Sequence, residues 1–274
     1  MNRRIRLIAF DLDGTLLDGR KALPEANRRE LARLGAAGTL LVPATGRVAA
    51  GLPEALRALP GLRWAILANG AEVRDLETGA VLAREEIPLD TALELLELAE
   101  SLRLPCDCYQ DGRGYMTRSL YERAPEYLRD PAVLELVLRL RTPVDELRAF
   151  LRERGESVQK LQLYFTDPAL RERLLRELPG RFPALSVTSS IPVNIEINSE
   201  RANKGEALAR LCAALGVDPA ETLAFGDGTN DLSLLRAAGI GVAMGNAAPE
   251  LKAAASLVTG TNDGAGVAAV LRAL

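Results

Sequence analysis

An apolar strand that runs into two aspartates constrains the fold of this chain more than any other stretch. Five of the six residues at positions 5–10 are apolar, which is typical of a strand buried on both faces of a parallel sheet. Asp11 and Asp13 follow, and in extended chain their spacing points both carboxylates the same way, before Gly14 permits a sharp turn. Carboxylates at the mouth of a buried strand are costly unless they are paired or bind a metal. We interpret the loop as catalytic or metal-binding, and an ordinary Asp-Gly turn is the alternative.

The order of the predicted strands and helices indicates an α/β fold. After the first strand, the sequence predicts a helix over residues 24–37 and strands over 39–44 and 64–68. This alternation is typical of a Rossmann-like, doubly wound parallel sheet with right-handed crossovers. Residues 72–87 follow as a predicted hairpin.

The pattern changes in the middle of the chain. From about residue 85 to residue 190, strands and helices are mixed without the α/β alternation, which resumes afterwards. We therefore predict a core domain of residues 1–84 and 190–274 and an inserted α+β cap domain of residues 85–189. Within the insert, Cys106 and Cys108 are interpreted as strand residues, because structural zinc normally takes four ligands.

Composition excludes several classes of protein. A net charge of −3 without a basic block gives no reason to expect a nucleic-acid partner, and no apolar run approaches the length of a membrane span. Three cysteines without a framework spacing favour a reducing cytoplasm. The absence of histidine excludes Ser-His-Asp and Cys-His catalysis, so acid–base chemistry falls to carboxylates, lysine, tyrosine or metal-bound water. A monomer and a homodimer are equally compatible with the sequence.

Three further motifs lie at predicted strand ends or helix starts. Thr45-Gly46-Arg47 ends a strand and is suited to binding phosphate oxygens, with a capping threonine and a surface arginine as the alternative. Lys204 begins a predicted helix, where a cation is disfavoured unless an anion lies beside it.

The last of these motifs follows the strand predicted over residues 222–225. Asp227, Asn230 and Asp231 would lie at the edge where open α/β sheets bind ligands. Because all four motifs occupy such positions, we expect them to form one site.

These motifs resemble the haloacid dehalogenase superfamily over nearly the whole chain. The resemblance rests on Asp11-Leu12-Asp13-Gly14-Thr15, Thr45-Gly46-Arg47, Lys204-Gly205, and Gly226-Asp227 with Asn230-Asp231. Other stretches resemble its Cof-like phosphatases (subfamily IIB), in which a large α/β cap is inserted between the second and third motifs: Asn69-Gly70-Ala71, Ala243-Met244-Gly245-Asn246-Ala247 and Asp263-Gly264. Gly228 departs from the pattern, since many relatives carry Asn or Ser there.

The resemblance implies a Mg²⁺-dependent phosphatase that hydrolyses phosphate monoesters of small metabolites, such as sugar phosphates or cofactor-related phosphates. Asp11 would attack phosphorus and become an aspartyl phosphate, while Asp13 would act first as acid and then as base. The resemblance assigns catalysis to Asp11, Asp13, Thr45 and Lys204, substrate binding to Thr45, Gly46, Arg47, Lys204 and Asn230, and metal binding to Asp11, the backbone carbonyl of Asp13, Asp227 and Asp231.

Two other functions are compatible with these motifs. A phosphomutase of the same superfamily would share every one of them, and a non-catalytic phosphometabolite-binding protein could retain the fold. A dehalogenase fits poorly, since it needs neither the Asp13 acid nor a magnesium site. Candidate substrate contacts in the cap are Tyr109, Arg113, Tyr115 and Lys160, which the sequence does not rank.

Overall fold

A computed structural model describes residues 4–274. The strands in chain order are β1 (Leu7–Phe10), β2 (Leu40–Pro43), β3 (Trp64–Leu67), β4 (Glu72–Asp75), β5 (Val81–Arg84), β6 (Cys106–Gln110), β7 (Arg113–Thr117), β8 (Arg141–Val144), β9 (Lys160–Tyr164), β10 (Leu185–Thr188), β11 (Asn194–Ser199), β12 (Thr222–Gly226), β13 (Ile240–Ala243) and β14 (Leu257–Val258).

The helices alternate with these strands in the first and last parts of the chain. In chain order they are α1 (Glu25–Ala36), α2 (Glu54–Arg57), α3 (Leu89–Ser101), α4 (Arg118–Glu122), α5 (Ala124–Tyr127), α6 (Pro131–Leu140), α7 (Leu147–Arg154), α8 (Pro168–Arg181), α9 (Lys204–Leu215), α10 (Leu232–Ala237), α11 (Pro249–Ala254) and α12 (Gly266–Leu271). Short 3₁₀ turns occur at Ala49–Gly51, Ala68–Gly70, Pro219–Glu221 and Thr229–Asp231. None of the described helices is long and apolar enough to cross a membrane.

The chain divides into two compact units, of which the first comprises the residues up to Arg84 and Asn203–Leu274. Its centre is a parallel sheet in the order β14-β13-β12-β1-β2. Every side chain of β1 is buried: Phe10 packs with Leu31 of α1, and Ala9 belongs to the cluster that contains Leu208 of α9. Helices therefore cover both faces, which confirms the predicted doubly wound α/β core.

The third strand differs from the prediction of a continuous parallel sheet. β3 opens a three-stranded antiparallel sheet with the hairpin β4–β5. A single parallel bridge between Ala44 and Ile66 connects it to the end of β2. The predicted hairpin is confirmed.

The second unit comprises Glu85–Ala202. Its six-stranded sheet has the order β10-β11-β9-β6-β7-β8 and is antiparallel except for the β7–β8 pair. One apolar cluster joins Cys108, Leu161 and Ile195 of this sheet to α3, α7 and α8. Cys106 and Cys108 lie in β6 and are free and buried, which confirms their interpretation as strand residues.

The two compact units divide at a later residue than the predicted second domain boundary. The structure places it between Ala202 and Asn203 rather than between residues 189 and 190. The reason is β11, which pairs with both β9 and β10 and so belongs to the inserted sheet. Residues 118–140 form three short helices, α4, α5 and α6, and Asp130 caps the last of them, whose first residue is Pro131.

Candidate active site

The candidate site lies at the carboxyl ends of three neighbouring strands of the first unit. Strand β1 pairs on one side with β2 and on the other with β12, and all three run in the same direction. Asp11 follows β1, Thr45 follows β2 and Asp227 follows β12. Parallel strands therefore bring three of the predicted motifs to one edge of the sheet, as expected for a topological switch point.

Lys204 brings the fourth motif to the same place. It is the first residue of α9, its side chain is 0% exposed, and its Nζ lies 2.6 Å from Asp11 Oδ1 and 2.6 Å from Asp231 Oδ1. Burial lowers the pKa of Lys204, but the two carboxylates raise it by more, so the ammonium form is strongly favoured. The anions that make a lysine acceptable at this helix start are carboxylates of the protein itself.

Asp231 fixes the loop that follows β12. Its Oδ2 accepts hydrogen bonds from the backbone N–H groups of Asp227 (2.9 Å) and Gly228 (3.0 Å), while its Oδ1 accepts from Lys204. The side chain is buried. Both of its oxygens are thus used within the protein, which suits a residue that orients Lys204 and the Asp227 loop.

Three carboxylates lie close enough to share one cation. Oxygens of Asp11, Asp227 and Asp231 all lie within 4.8 Å of one another. Burial, together with the neighbouring carboxylates, raises the pKa of Asp11 well above its ordinary value and that of Asp227 to about 6. Crowded oxygen donors of this kind fit a small, hard divalent cation such as Mg²⁺, which would relieve their mutual repulsion.

Two side chains orient Asp227. Thr15 donates its hydroxyl to Asp227 Oδ1 at 2.7 Å, and Asn246 Nδ2 lies 3.4 Å from Oδ2. Gly14 makes the approach of the two loops possible, because it has a φ of +83° and a Cβ there would collide with the Asp227 carboxylate. The sequence placed Thr15 in a motif without assigning it a contact.

The Asp13 carboxylate pairs with two cations. Arg47 donates from Nε to Asp13 Oδ2 (2.8 Å) and from Nη2 to Oδ1 (2.7 Å), and Lys21 Nζ lies 2.8 Å from the same Oδ1. Burial opposes ionisation of Asp13, but the Arg47 hydrogen bonds and the charges of Arg47 and Lys21 lower its pKa to about 2. Arg47 was predicted to face the substrate, with a surface role as the alternative. It is buried against Asp13 and donates to the Gly51 carbonyl, so the surface alternative is wrong. Sequence reasoning missed Lys21, whose signals are its rarity in an arginine-rich chain and its proximity to Asp13 in sequence.

The remaining predicted residues also lie at this edge. Thr45 is buried, and its hydroxyl accepts from the backbone N–H of Arg47 at 3.2 Å rather than capping a helix. Asn230 donates to Asn69 Oδ1 at 3.1 Å. Asn69 lies in the turn after β3, with a positive φ of 63°. Through this hydrogen bond, the Asn69-Gly70-Ala71 stretch of the Cof-like resemblance contacts the motif that follows β12.

In the second unit, one face of the sheet carries buried polar side chains. Asp107 accepts from Arg141, Gln162 and Tyr164 at 2.8, 3.1 and 2.6 Å, and Lys160 pairs with Glu196 at 3.0 Å.

Of the four candidate contacts in this unit, two lie on that polar face. The Lys160 ammonium lies 5.0 Å from the centre of the Tyr109 ring. Tyr115 packs in the apolar cluster, and Arg113 is exposed at the start of β7. Tyr109 and Lys160 therefore lie on the polar face, whereas Tyr115 lies on the apolar face.

Comparison with known proteins places this geometry in a family. A model of haloacid dehalogenase-like hydrolases matches residues 8–271. The chain is 32% identical over 286 residues to Phosphatase YwpJ of Bacillus subtilis (strain 168), covering 98% of this chain and 100% of that protein. It is 31% identical over 261 residues to the Pyridoxal phosphate phosphatase YbhA of Escherichia coli (strain K12), covering 94% of each. A solved structure of a haloacid dehalogenase-like hydrolase from B. subtilis matches with a TM-score of 0.84 and 30% identity, over 98% of this chain and 99% of that one. The chain belongs to the haloacid dehalogenase-like hydrolase family.

Proposed function

We propose that this hydrolase is a Mg²⁺-dependent phosphatase that cleaves phosphate monoesters of small metabolites through an aspartyl phosphate on Asp11. The observation that carries the proposal is the Lys204 ammonium, buried between Asp11 and Asp231 beside Asp227. A nucleophilic carboxylate and a phosphate dianion repel each other, so the reaction needs cations at this point. The relatives named as phosphatases support the same reaction class.

In the first step, an oxygen of Asp11 attacks phosphorus and forms an O–P bond. The bond from phosphorus to the oxygen of the leaving alcohol breaks, and Asp13 gives that leaving oxygen a proton. In the second step, Asp13 takes a proton from water, whose oxygen attacks phosphorus and releases phosphate from Asp11. Lys204, Thr45 and Asn230 bind the transferring oxygens. Asp11, Asp227 and the backbone carbonyl of Asp13 would hold Mg²⁺, which supplies charge neutralisation when bound. We infer that Asp231 positions Lys204 rather than the ion.

The pairing of Asp13 with Arg47 and Lys21 suits one of these steps better than the other. The two cations favour the ionised carboxylate, which is the form that accepts a proton from water. The first step needs protonated Asp13, which the cations disfavour. Substrate binding must therefore draw at least one cation away from Asp13, and an anionic phosphate is a suitable competing partner for both.

The inserted unit is proposed to select the substrate. The support is its face of buried polar side chains, among which Lys160 and Arg141 are cationic. We expect the protein to act in a reducing cytoplasm, as its three free, buried cysteines suggest. The predicted assembly is a monomer or a homodimer.

The test is phosphate release from a panel of sugar phosphates, pyridoxal phosphate and flavin-pathway phosphates, with Mg²⁺ and with EDTA. We expect phosphate release in Mg²⁺ but not in EDTA, and we expect Asp11→Asn to abolish it. Glu25→Gln, on the exposed side of α1, is the charge-matched control and should retain release. Retention of more than a few per cent of activity by Asp11→Asn would contradict the nucleophile assignment. No release from any compound by folded protein would favour a mutase, assayed with a bisphosphate activator, or a binding protein.

A further inference from the structure

Asn246 connects three loops at the carboxyl edge of the central sheet. It lies in the loop after β13, and its Nδ2 lies 2.8 Å from the Gly14 carbonyl oxygen and 3.4 Å from Asp227 Oδ2. Its Oδ1 accepts a hydrogen bond of 3.1 Å from the backbone N–H of Asn262, in the loop after β14. One amide thus contacts the two loops that carry Asp11 and Asp227, and it is held by a third loop.

The third loop fixes which end of the amide faces the carboxylates. The Asn262 N–H is a donor, so the atom of Asn246 that faces it must be the oxygen. The amide nitrogen then faces two acceptors, the Gly14 carbonyl oxygen and Asp227 Oδ2. Asn262 is in turn tied to the loop after β1 by a hydrogen bond of 2.9 Å from its own Nδ2 to the Leu17 carbonyl.

The contact completes the orientation of the Asp227 carboxylate. Thr15 donates to one of its oxygens and Asn246 approaches the other, so rotation of the carboxylate is opposed from both sides. Without such partners, Asp227 and Asp11 would separate, since like charges repel. Residues that hydrogen-bond to metal ligands hold them at the required geometry, and their loss typically weakens metal binding about 10- to 100-fold.

We propose that Asn246 is a positioning residue for Mg²⁺, holding Asp227 and the Asp11–Thr15 loop at the separation that the ion requires. This inference rests on the metal dependence in the proposed function. Asn246 is exposed to solvent and adds little to the apolar core. Its replacement should therefore leave the fold intact while metal binding changes.

The test is Mg²⁺ binding by Asn246→Ala, measured on the whole chain by isothermal titration calorimetry. Asn262→Ala is the matched control: it also deletes an Asn Nδ2 bonded to a carbonyl of the loop after β1, but that side chain contacts neither Asp227 nor Gly14. We expect Asn246→Ala to raise the Mg²⁺ Kd at least about tenfold, and Asn262→Ala to leave it within about twofold. The rise in Tm on adding Mg²⁺ should shrink for Asn246→Ala alone.

Two results would overturn the proposal. One is a wild-type Kd for Asn246→Ala; the other is an equal weakening by both variants, which would indicate a general effect of loosening these loops. Failure of the proposed function gives a different result, since wild-type protein would then bind no Mg²⁺ or release no phosphate. Circular dichroism of metal-free protein verifies that both variants are folded.

Discussion

Replacing Lys204 with methionine removes the positive charge that lies between two buried carboxylates of the site, those of Asp11 and Asp231. The ammonium lies 2.6 Å from an oxygen of Asp11 and 2.6 Å from an oxygen of Asp231, with its side chain 0% exposed. Breaking a buried ion pair by deleting one partner typically costs about 3–5 kcal/mol. Methionine keeps the length of the side chain and forms no cavity of consequence, so the loss is mainly electrostatic.

Protonation of Asp11 limits this cost. Burial already raises its pKa well above the ordinary value, and Lys204 is the largest influence that lowers it, so the variant should raise the pKa of Asp11 further. A raised pKa in the folded state means that folded protein binds the proton more tightly than unfolded protein. Acidification therefore stabilises the variant relative to the wild type. We expect a destabilisation of about 3 kcal/mol at pH 8 that shrinks by at least about 1 kcal/mol at pH 5.5.

Urea unfolding in EDTA at both pH values measures this effect. Lys252→Met provides the control, because Lys252 in α11 is a partly exposed lysine outside the site, and its loss should change stability by less than about 0.5 kcal/mol. A cost below about 1 kcal/mol at pH 8 would refute the view that Lys204 compensates two buried charges. An equal cost at both pH values would refute the role of Asp11 protonation.

Three further predictions follow from the same site. Metal-free protein should lose stability as the pH rises from about 4 to 7, because the pKa of Asp227 is about 6 in the folded state against an ordinary 3.8. The partial exposure of Asp227 keeps this loss at or below about 3 kcal/mol. Urea unfolding measures the loss, which should be absent with saturating Mg²⁺. Gly14→Ala should abolish Mg²⁺-dependent phosphate release, because its Cβ would collide with Asp227, whereas Gly38→Ala, also at positive φ but in open space, should cost only about 1 kcal/mol of stability. Lys21→Met should raise the pKa of Asp13, because Asp13 loses one of its two cationic partners. The limb of the pH profile of kcat/KM that reports Asp13 should then shift to higher pH. The same shift in Arg20→Met, at the exposed residue that precedes Lys21 in sequence, would contradict this reasoning.

The central sheet could be predicted because its strands are short apolar runs that end in polar motifs. Such runs specify burial on both faces, and the alternation with helices specifies parallel pairing. Strand β8 could not be predicted in this way, because its formation depends on tertiary pairing. It begins with Arg141 and contains Pro143, so nothing in its composition marks a strand. It forms at the edge of its sheet, where proline is tolerated. The second unit extends beyond the predicted end of the insert for the same reason, since only its pairing assigns β11 to the inserted sheet.

The site could be predicted in its parts but less well in its contacts. Strand ends place Asp11, Thr45 and Asp227 together once the sheet order is known, and the helix start of Lys204 required an anion. The partners of Asp13 depend on side-chain directions in loops, which carry no periodic signal. Lys21 and Arg47 both follow Asp13 in the sequence, by 8 and 34 residues, and only the folded loops show that both reach it.

The position of β1 has a consequence for the order in which the chain folds. Leu7 pairs with Thr222, so this buried strand of the first unit lacks one of its two neighbours until more than 200 further residues have been synthesised. At ribosomal rates of about 5–20 residues per second, that interval is on the order of 10–40 s. The second unit is one continuous segment and can form all its strand pairs as soon as Ala202 has emerged. An apolar strand that lacks its partner for this long can pair with non-native segments. The yield of active protein should therefore depend on chaperones that shield the nascent chain and on the speed of translation.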